Sequence, residues 1–320
     1  MSVALCTYNG DAYVGEQLAS ILGQDAAATE VVISDDGSTD KTLPIVEGVT
    51  KAYKGPTEVR VVSTERVGGV TSNFDRAVGA CRGDVIVLSD QDDVWHRDRL
   101  STLLPHFPKD NAVRLAFSDA LIIGPDGSPL GGSLRDGLRL SRRERRLFRS
   151  GRAFEVLIRR NVITGAVAAF SRELYDLATP FPDSWVHDEW LAILAAALGE
   201  VVMLDEALVD YRLHRDNQIG VADPSAPSRL RRMLGPRGDR YSRLARRSKD
   251  LVARLEHLPV PEKCLALARR KLDFEETRAA YPDARFRRTG PILRQLFRGS
   301  YSRLSSQRRL DVFRDLLQPA

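Results

Sequence analysis

Apolar residues in this chain gather into short β-branched runs separated by helical patterns, and each run ends in polar residues. Val3-Ala4-Leu5-Cys6, Val31-Val32-Ile33, Val59-Arg60-Val61-Val62 and Val85-Ile86-Val87-Leu88 are the first four such runs. Their length and composition predict buried strands. Leu18, Ile21 and Leu22 share one face of a helix over about 12–23, and another helical stretch closes at Ala80. Alternating strands and helices predict an α/β fold on a doubly wound, mostly parallel sheet. The strands run out into Thr7-Tyr8-Asn9-Gly10, Ser34 to Asp40 and Ser89-Asp90-Gln91-Asp92-Asp93-Val94-Trp95. Open α/β sheets bind ligands outside the carboxyl ends of their strands, so these loops point to one shared ligand edge.

Further along, a helix is expected over about 97–104. Leu115-Ala116-Phe117 reads as a strand entering Ser118-Asp119, and Ile122 to Gly127 as a hairpin. Val167-Ala168-Ala169-Phe170 is another strand. Trp185 to Trp190 opens an apolar helix, Leu191 to Leu198; Val201 to Leu204 and Val209 to His214 then read as two separate extended pieces. The arginine-rich stretch from Arg135 to Arg160 is by default a solvated helical face, with a lip that meets an anionic acceptor as the sharper alternative. Past residue 221 strand character fades. Pro224 and Pro227 mark a linker, and Tyr241, Leu244, Leu251, Leu255 and Leu258 keep helical spacing, as do Ile292, Leu293, Leu296 and Phe297. The pattern divides the chain into an α/β domain over 1–220 and a helical C-terminal extension over 221–320.

Charge reinforces that division. Residues 221–320 carry 24 Lys/Arg against 11 Asp/Glu, a net of +13, whereas the preceding residues carry a net of −8. With 43% hydrophobic and 28% charged residues the composition is that of a globular protein. No apolar run approaches the ~20 residues of a spanning helix, and the apolar start at Met1 has no leader-like region before it. Cys6, Cys81 and Cys264 lack metal-type spacing and read as reduced thiols, so a cytoplasmic setting is expected. Sparse aromatic interleaving in the basic part, and an acidic front part, argue against nucleic acid.

The three carboxylates of Asp90, Asp92 and Asp93 repel one another unless a cation or an outward-facing edge relieves them. A solvated turn is one reading. A hard divalent cation, Mg²⁺ or Mn²⁺, is the other, since it takes carboxylate oxygens and shares itself with substrate phosphates. Asp188 and Glu189 stand in the first turn of a helix, where negative charge suits the dipole; a carboxylate held there also serves as a general base.

In their order these motifs resemble the inverting family-two glycosyltransferases with the GT-A nucleotide-sugar fold, over about residues 1–220. Thr7 to Gly10 resembles the family's opening loop, Glu30 to Asp40 its second strand and nucleotide loop, Asp90 to Asp93 its Asp-x-Asp motif, and His187-Asp188-Glu189-Trp190 its catalytic acid region. Tyr211-Arg212-Leu213-His214 with Asn217-Gln218-Ile219-Gly220, and Asn161 to Phe170, are most similar to the bacterial rhamnosyltransferase branch. The resemblance implies roles. Tyr8 packs on the nucleotide base and Asp36 accepts from its imide nitrogen; Thr7, Asn9 and Asn73 line the same pocket. Asp90 holds the ribose or supports the metal shell, Asp92 ligates Mg²⁺ or Mn²⁺, and His214 approaches from the far side. Asp188 takes the acceptor proton, while Gly165, Glu189 and Trp190 stand on the acceptor side. The implied reaction is metal-dependent inverting transfer of L-rhamnose from dTDP-rhamnose to a hydroxyl of a polysaccharide or lipid-linked glycan. A UDP-hexose donor is the alternative. A membrane-surface binding protein with a vestigial transferase domain is a second, motivated by the +13 extension. For that extension, peripheral contact with the inner face of the plasma membrane, packing on its own domain and a homodimer contact are all compatible with the spaced leucines.

Overall fold

The computed structural model describes residues 1–108, 112–214 and 235–319. Contacts group the chain into two units: Met1–Gly151 with Val162–Phe181 and Val186–Val221, and Arg152–Asn161 with Pro182–Trp185 and Ala222–Ala320. The expected linker prolines Pro224 and Pro227, and the Asn217 to Gly220 motif, lie outside the described residues.

In the first unit a nine-stranded sheet is built from β1 (Ser2–Thr7), β2 (Glu30–Asp35), β3 (Glu58–Ser63), β4 (Val85–Ser89), β5 (Val94–Trp95), β6 (Val113–Ile123), β7 (Pro129–Ser133), β8 (Ala168–Ser171) and β9 (Glu200–Arg212). The spatial order is β3-β2-β1-β4-β8-β6-β9-β5, with β7 beside β6. The first four strands are parallel neighbours, as their alternation with helices Val14–Leu22, Thr42–Ala52 and Val70–Ala80 requires. Beyond β4 the sheet becomes mixed, with β8 antiparallel to both β4 and β6. β1, β2 and β4 are buried along their whole length, which is why they read as unbroken apolar runs.

Register aligns the strand ends. Thr7 lies opposite Asp35, and Leu5 opposite Ser89, so three strands release their polar loops at one edge.

Two features differ from the sequence pattern. β9 is one strand of 13 residues where the pattern suggests two pieces. Met203 faces Phe117 and Ala207 faces Asp119, so β9 bulges and sends Asp205 and Glu206 into solvent. That polar interruption hides its continuity. In addition, Arg172–Ala178 forms a helix that the pattern does not announce, capped by Ser171 Oγ accepting from the Leu174 N–H.

The arginine run follows its default reading. Helix Arg142–Arg149 starts with a capping box between Ser141 and Glu144, buries Phe148 against Phe117 and exposes Arg142, Arg143, Arg146 and Arg149. Arg135 instead turns inward, within 3.7 Å of Asp119 and 3.3 Å of Asp205.

The second unit is helical, with Arg240–Leu255, Glu262–Ala279, Arg285–Phe297, Ser300–Leu304 and Arg309–Leu317 as its C-terminal helices. Phe274, Tyr281, Ile292, Tyr301 and Leu304 form its apolar core. Around them runs a buried polar network. Asp315 accepts from Arg278 Nε and Nη2 at 2.8 and 2.9 Å, from the Tyr241 hydroxyl at 2.6 Å and from the Tyr301 hydroxyl at 2.7 Å. Arg278 also reaches Glu275, which accepts from Lys271. Part of the positive charge counted in the sequence is therefore neutralised inside.

Candidate active site

The aligned ends of β1, β2 and β4 carry most of the expected residues. Asp35 organises the first two loops: its carboxylate accepts from Thr7 Oγ1 at 2.7 Å, Ser38 Oγ at 2.6 Å and the Ser38 N–H at 2.7 Å. Asn9 adopts positive φ and its side-chain oxygen accepts from the Thr39 N–H, so the Tyr8 loop and the 35–40 loop are tied together. Asn73 Nδ2 donates to the Thr7 carbonyl from helix Val70–Ala80. Tyr8 stays exposed at 37%, with the Arg66 guanidinium 5.8 Å from its ring centroid.

Asp36 is held by its own chain. The backbone N–H groups of Val67, Gly68 and Gly69 donate to its two oxygens at 2.5, 3.0 and 3.1 Å. Burial pushes this carboxyl up, but the loop donors and Arg76 outweigh it, so it remains below its ordinary range. Positive φ at Gly68 and Gly69 permits that close wrapping.

Past the end of β4 the acids differ in their partners. Asp92 Oδ2 lies 2.8 Å from His214 Nε2, which joins a loop after β4 to the residue just past β9. The expected metal pair is thus brought together. Asp93 is buried and its Oδ1 accepts the Arg212 N–H at 3.0 Å, beside the pairing of β5 with β9. Burial, then Asp92 and Asp90, raise the Asp93 carboxyl well above the usual range. Enclosure raises Asp90 to about 7, with Asp92 and then Asp188 adding to it. Asp188, from helix His187–Leu198, is therefore in electrostatic reach of the β4 acids. The Tyr211 phenol is raised by burial first and then by the charges of Asp90, Asp93, Asp92 and Asp188.

Asp188 is positioned by backbone. Asp188 Oδ2 accepts the Gly165 N–H at 3.0 Å and Oδ1 the Glu189 N–H at 2.6 Å. A Cβ on Gly165 would stand 3.1 Å from His187 Nε2, tighter than an ordinary contact, so a larger residue there requires His187 to give by a few tenths of an ångström. His187 is buried, stacks on Phe74 at 4.2 Å and is lowered by burial to about 3, so it is a neutral imidazole. Neither of its ring nitrogens, nor Thr164 Oγ1, has a hydrogen-bond partner among the described residues. Trp190, expected on the acceptor side, is instead fully buried, and its indole N–H donates to the Ala178 carbonyl at 2.9 Å. It anchors the helix that carries Asp188. Glu189 sits half-buried beside Asp188.

Three residues that sequence reasoning passed over hold this edge together. Gln91 clamps Tyr8 by accepting its N–H at 2.8 Å and donating to its carbonyl at 3.0 Å. Arg212, fully buried, donates to the Asp92 carbonyl at 2.8 Å and to Glu16 at 2.7 Å and lies 4.7 Å from the Tyr13 ring centroid. Arg99 is buried with no hydrogen-bond partner among the described residues; it lies 4.1 Å from the Trp95 ring centroid, and Asp93 and Asp90 partly offset the fall of its pKa to about 9. Gln91 and Arg212 stand inside the quoted motifs without a role assigned to them, and Arg99 carried no signal beyond its closeness to the acidic motif.

Among the described residues no group of three His, Cys, Asp or Glu side chains converges on a closed metal site. The Asp92–His214 pair fits a different arrangement, two protein ligands with the shell completed by substrate phosphate and water.

A polar strand edge with clustered carboxylates, and a further carboxylate held by backbone N–H groups, stand beside the sequence comparison. The model of the family described as "Glycosyl transferase family 2" matches residues 2–177. The chain belongs to glycosyltransferase family 2. A dTDP-rhamnosyl transferase, RfbG of Shigella flexneri, is 36% identical over 112 residues, 34% of this chain and 38% of that protein. The uncharacterised protein Rv1520 of Mycobacterium tuberculosis is 28% identical over 219 residues, 67% of this chain and 59% of that one. These alignments therefore span less than two thirds of either relative. Among solved structures, TarS residues 1–349 of S. aureus in complex with UDP-GlcNAc superposes with a TM-score of 0.58 at 17% identity, covering 98% of this chain and 89% of that one. The mannosyltransferase PcManGT of Pyrobaculum calidifontis, in complex with GDP-Man and Mn2+, gives 0.53 at 19% identity, with 98% and 83% covered. These likenesses are of fold, and the fold is the expected GT-A type. The glycosyltransferase has no helix, among its described residues, long and apolar enough to cross a membrane.

Proposed function

We propose that this glycosyltransferase transfers L-rhamnose from dTDP-rhamnose, with inversion, to a hydroxyl of a polysaccharide or lipid-linked glycan. The observation that carries the catalytic part is the meeting of Asp92 with His214 at 2.8 Å beside Asp90 and within the field of Asp188. The rhamnose part rests on the partial likeness to RfbG and on the Tyr211 to His214 motif.

Tyr8 offers its exposed ring to the base, held in place by Gln91. Asp36 Oδ2 accepts one backbone N–H, which leaves a lone pair to accept an imide N–H of thymine or uracil. Thr7, Asn9 and Asn73 shape that pocket, and Asp90 takes the ribose. Asp92 and His214 would hold a divalent cation, with the nitrogen donor of the pair favouring Mn²⁺ over the harder Mg²⁺. The chemistry such an ion would supply is stabilisation of the negative charge on a departing nucleoside diphosphate. Asp188, with its oxygens aimed by Gly165 and Glu189, accepts the acceptor proton. A single displacement needs this one base and no covalent nucleophile.

A UDP-hexose donor keeps every one of these roles, because thymine and uracil present the same imide. The test is release of nucleoside diphosphate from a set of dTDP-, UDP- and GDP-sugars with acceptor glycans, with Mn²⁺ and with EDTA. Turnover of dTDP-rhamnose that EDTA abolishes is the expected result. Turnover of a UDP-hexose in its place overturns the donor, and turnover that survives EDTA overturns the metal.

A further inference from the structure

Two helices of the second unit carry apolar side chains on their outside. On Arg285–Phe297 Phe286, Leu293 and Phe297 are exposed at 76%, 44% and 86%, with Leu296 at 38% to one side of them; on Arg309–Leu317 Leu310, Phe313 and Leu317 are exposed at 52%, 54% and 46%. Their spacings place each set in a single stripe along its helix. The inward sides of the same helices are accounted for, since Ile292, Val312 and Leu316 pack in the core of the unit.

Charge along this face has one sign. From Arg285 to Leu317 the chain has nine arginines and two acids. Both acids are buried and hydrogen-bonded: Asp311 accepts from Ser305, Ser306 and the Gln307 N–H, and Asp315 from Arg278, Tyr241 and Tyr301. Arg287, Arg294 and Arg298 are exposed and repeat the spacing of the apolar stripe one position on, so they line its flank. Arg287 keeps its guanidinium 5.7 Å from the Phe286 ring centroid. The net positive charge read in the sequence is thus concentrated beside exposed phenylalanine and leucine.

We propose that this face docks on the surface of an anionic lipid bilayer. Large exposed apolar side chains in one patch mark a surface that is covered in use. Phenylalanine and leucine flanked by arginine suit the boundary between headgroups and acyl chains, with rings below and guanidinium groups at the phosphates. A second copy of the chain fits poorly, because an isologous contact sets the same unneutralised arginines against each other. Charge complementarity therefore selects anionic lipid. A transferase held this way works on acceptors carried at the same membrane. The inference is independent of the donor and metal reading, and vesicle binding is measured without turnover.

The test is flotation of the full chain with vesicles of phosphatidylcholine alone and of equal parts phosphatidylcholine and phosphatidylglycerol. Binding to the mixed vesicles, weakened by salt and absent with phosphatidylcholine, is expected. Phe286→Ser with Phe297→Ser lowers the partition coefficient about tenfold for each phenylalanine lost. Arg287→Gln, Arg294→Gln and Arg298→Gln lower it by about fivefold per charge. Leu310→Ser with Phe313→Ser on the neighbouring helix repeats the reading should the first pair melt early. No binding, equal binding to both vesicles, or variants that bind like the parent overturn the proposal. So does a concentration-dependent dimer in sedimentation that the Phe286/Phe297 variant dissolves while vesicles are ignored, because it assigns the face to a second copy.

Discussion

Replacing Asp188 by asparagine separates its chemistry from its place in the fold. The carboxylate accepts one N–H on each oxygen, Gly165 on Oδ2 at 3.0 Å and Glu189 on Oδ1 at 2.6 Å. An amide retains only one acceptor oxygen, so one of these donors is left facing an NH₂ group. At a half-buried position that costs about 1–3 kcal/mol of stability. Loss of the base removes about 10²–10⁴-fold of rate, equivalent to roughly 3–5 kcal/mol of barrier at 1.36 kcal/mol per decade. Donor binding moves the other way. Asp188 is one of the charges that raise Asp90, so its neutralisation relaxes the repulsion that an incoming diphosphate also meets. Steady-state release of nucleoside diphosphate gives kcat, and titration calorimetry with the donor gives Kd. The expected pattern is kcat down by at least about a hundredfold, donor Kd unchanged or lower, and a modestly earlier melt. A kcat within tenfold of the parent refutes the assignment of the base. A fold that stays intact while donor affinity collapses makes Asp188 a donor ligand instead.

Gly165→Ala sets a methyl 3.1 Å from His187 Nε2, so His187 and the Asp188 beside it must shift by a few tenths of an ångström. Because catalysis depends on near-attack geometry, kcat is expected to fall by about tenfold or more with donor affinity kept, as single-turnover kinetics will read. Asp315→Ala leaves Arg278 and two tyrosine hydroxyls without their acceptor in the second unit. Denaturant melts should show that unit destabilised by about 3–5 kcal/mol, the usual result of breaking a buried pair from one side. His187 predicts acid sensitivity: its folded-state pKa of about 3 lies below the ordinary 6.5, so the unfolded chain takes up the proton first. The stability tied to its neutral form is complete above pH 6.5 and declines as pH falls towards 3, by about 1.4 kcal/mol per pH unit. His187→Gln should remove that part of the slope in melts taken across the same window, and an unchanged slope would count against the neutral buried imidazole.

The parallel half of the sheet was legible because β1, β2 and β4 are buried on both faces and so carry unbroken apolar runs. Their polar ends were legible for the same reason. β9 was not, because its bulge at Asp205 and Glu206 interrupts the apolar pattern in mid-strand. The acids after β4 were legible as a group, and the structure places Asp90, Asp92 and Asp93 near one another, but sorting them took tertiary structure. Asp93 answers to the Arg212 backbone, far away in sequence, and Gln91 to the Tyr8 loop. Trp190 shows the converse: its place in a recognisable motif suggested an acceptor role, whereas its indole serves the helix anchor at Ala178. In the helical extension, sequence supplied charge totals but not pairings. The buried Asp315 network and the one-sided arginine face draw on the same residue types and appear only when burial is known.

Central to this account is a nucleoside diphosphate held jointly with a divalent cation by Asp92 and His214. Thermal melts of the parent and of Asp92→Asn, with dTDP alone, Mn²⁺ alone and both together, test it directly. A ligand that binds only the folded state raises the melting point by mass action. The account expects a clear upward shift for the parent with dTDP and Mn²⁺ together, larger than the sum of the separate shifts, and loss of that excess in Asp92→Asn. Equal shifts in parent and variant, or a dTDP shift indifferent to Mn²⁺, would contradict it.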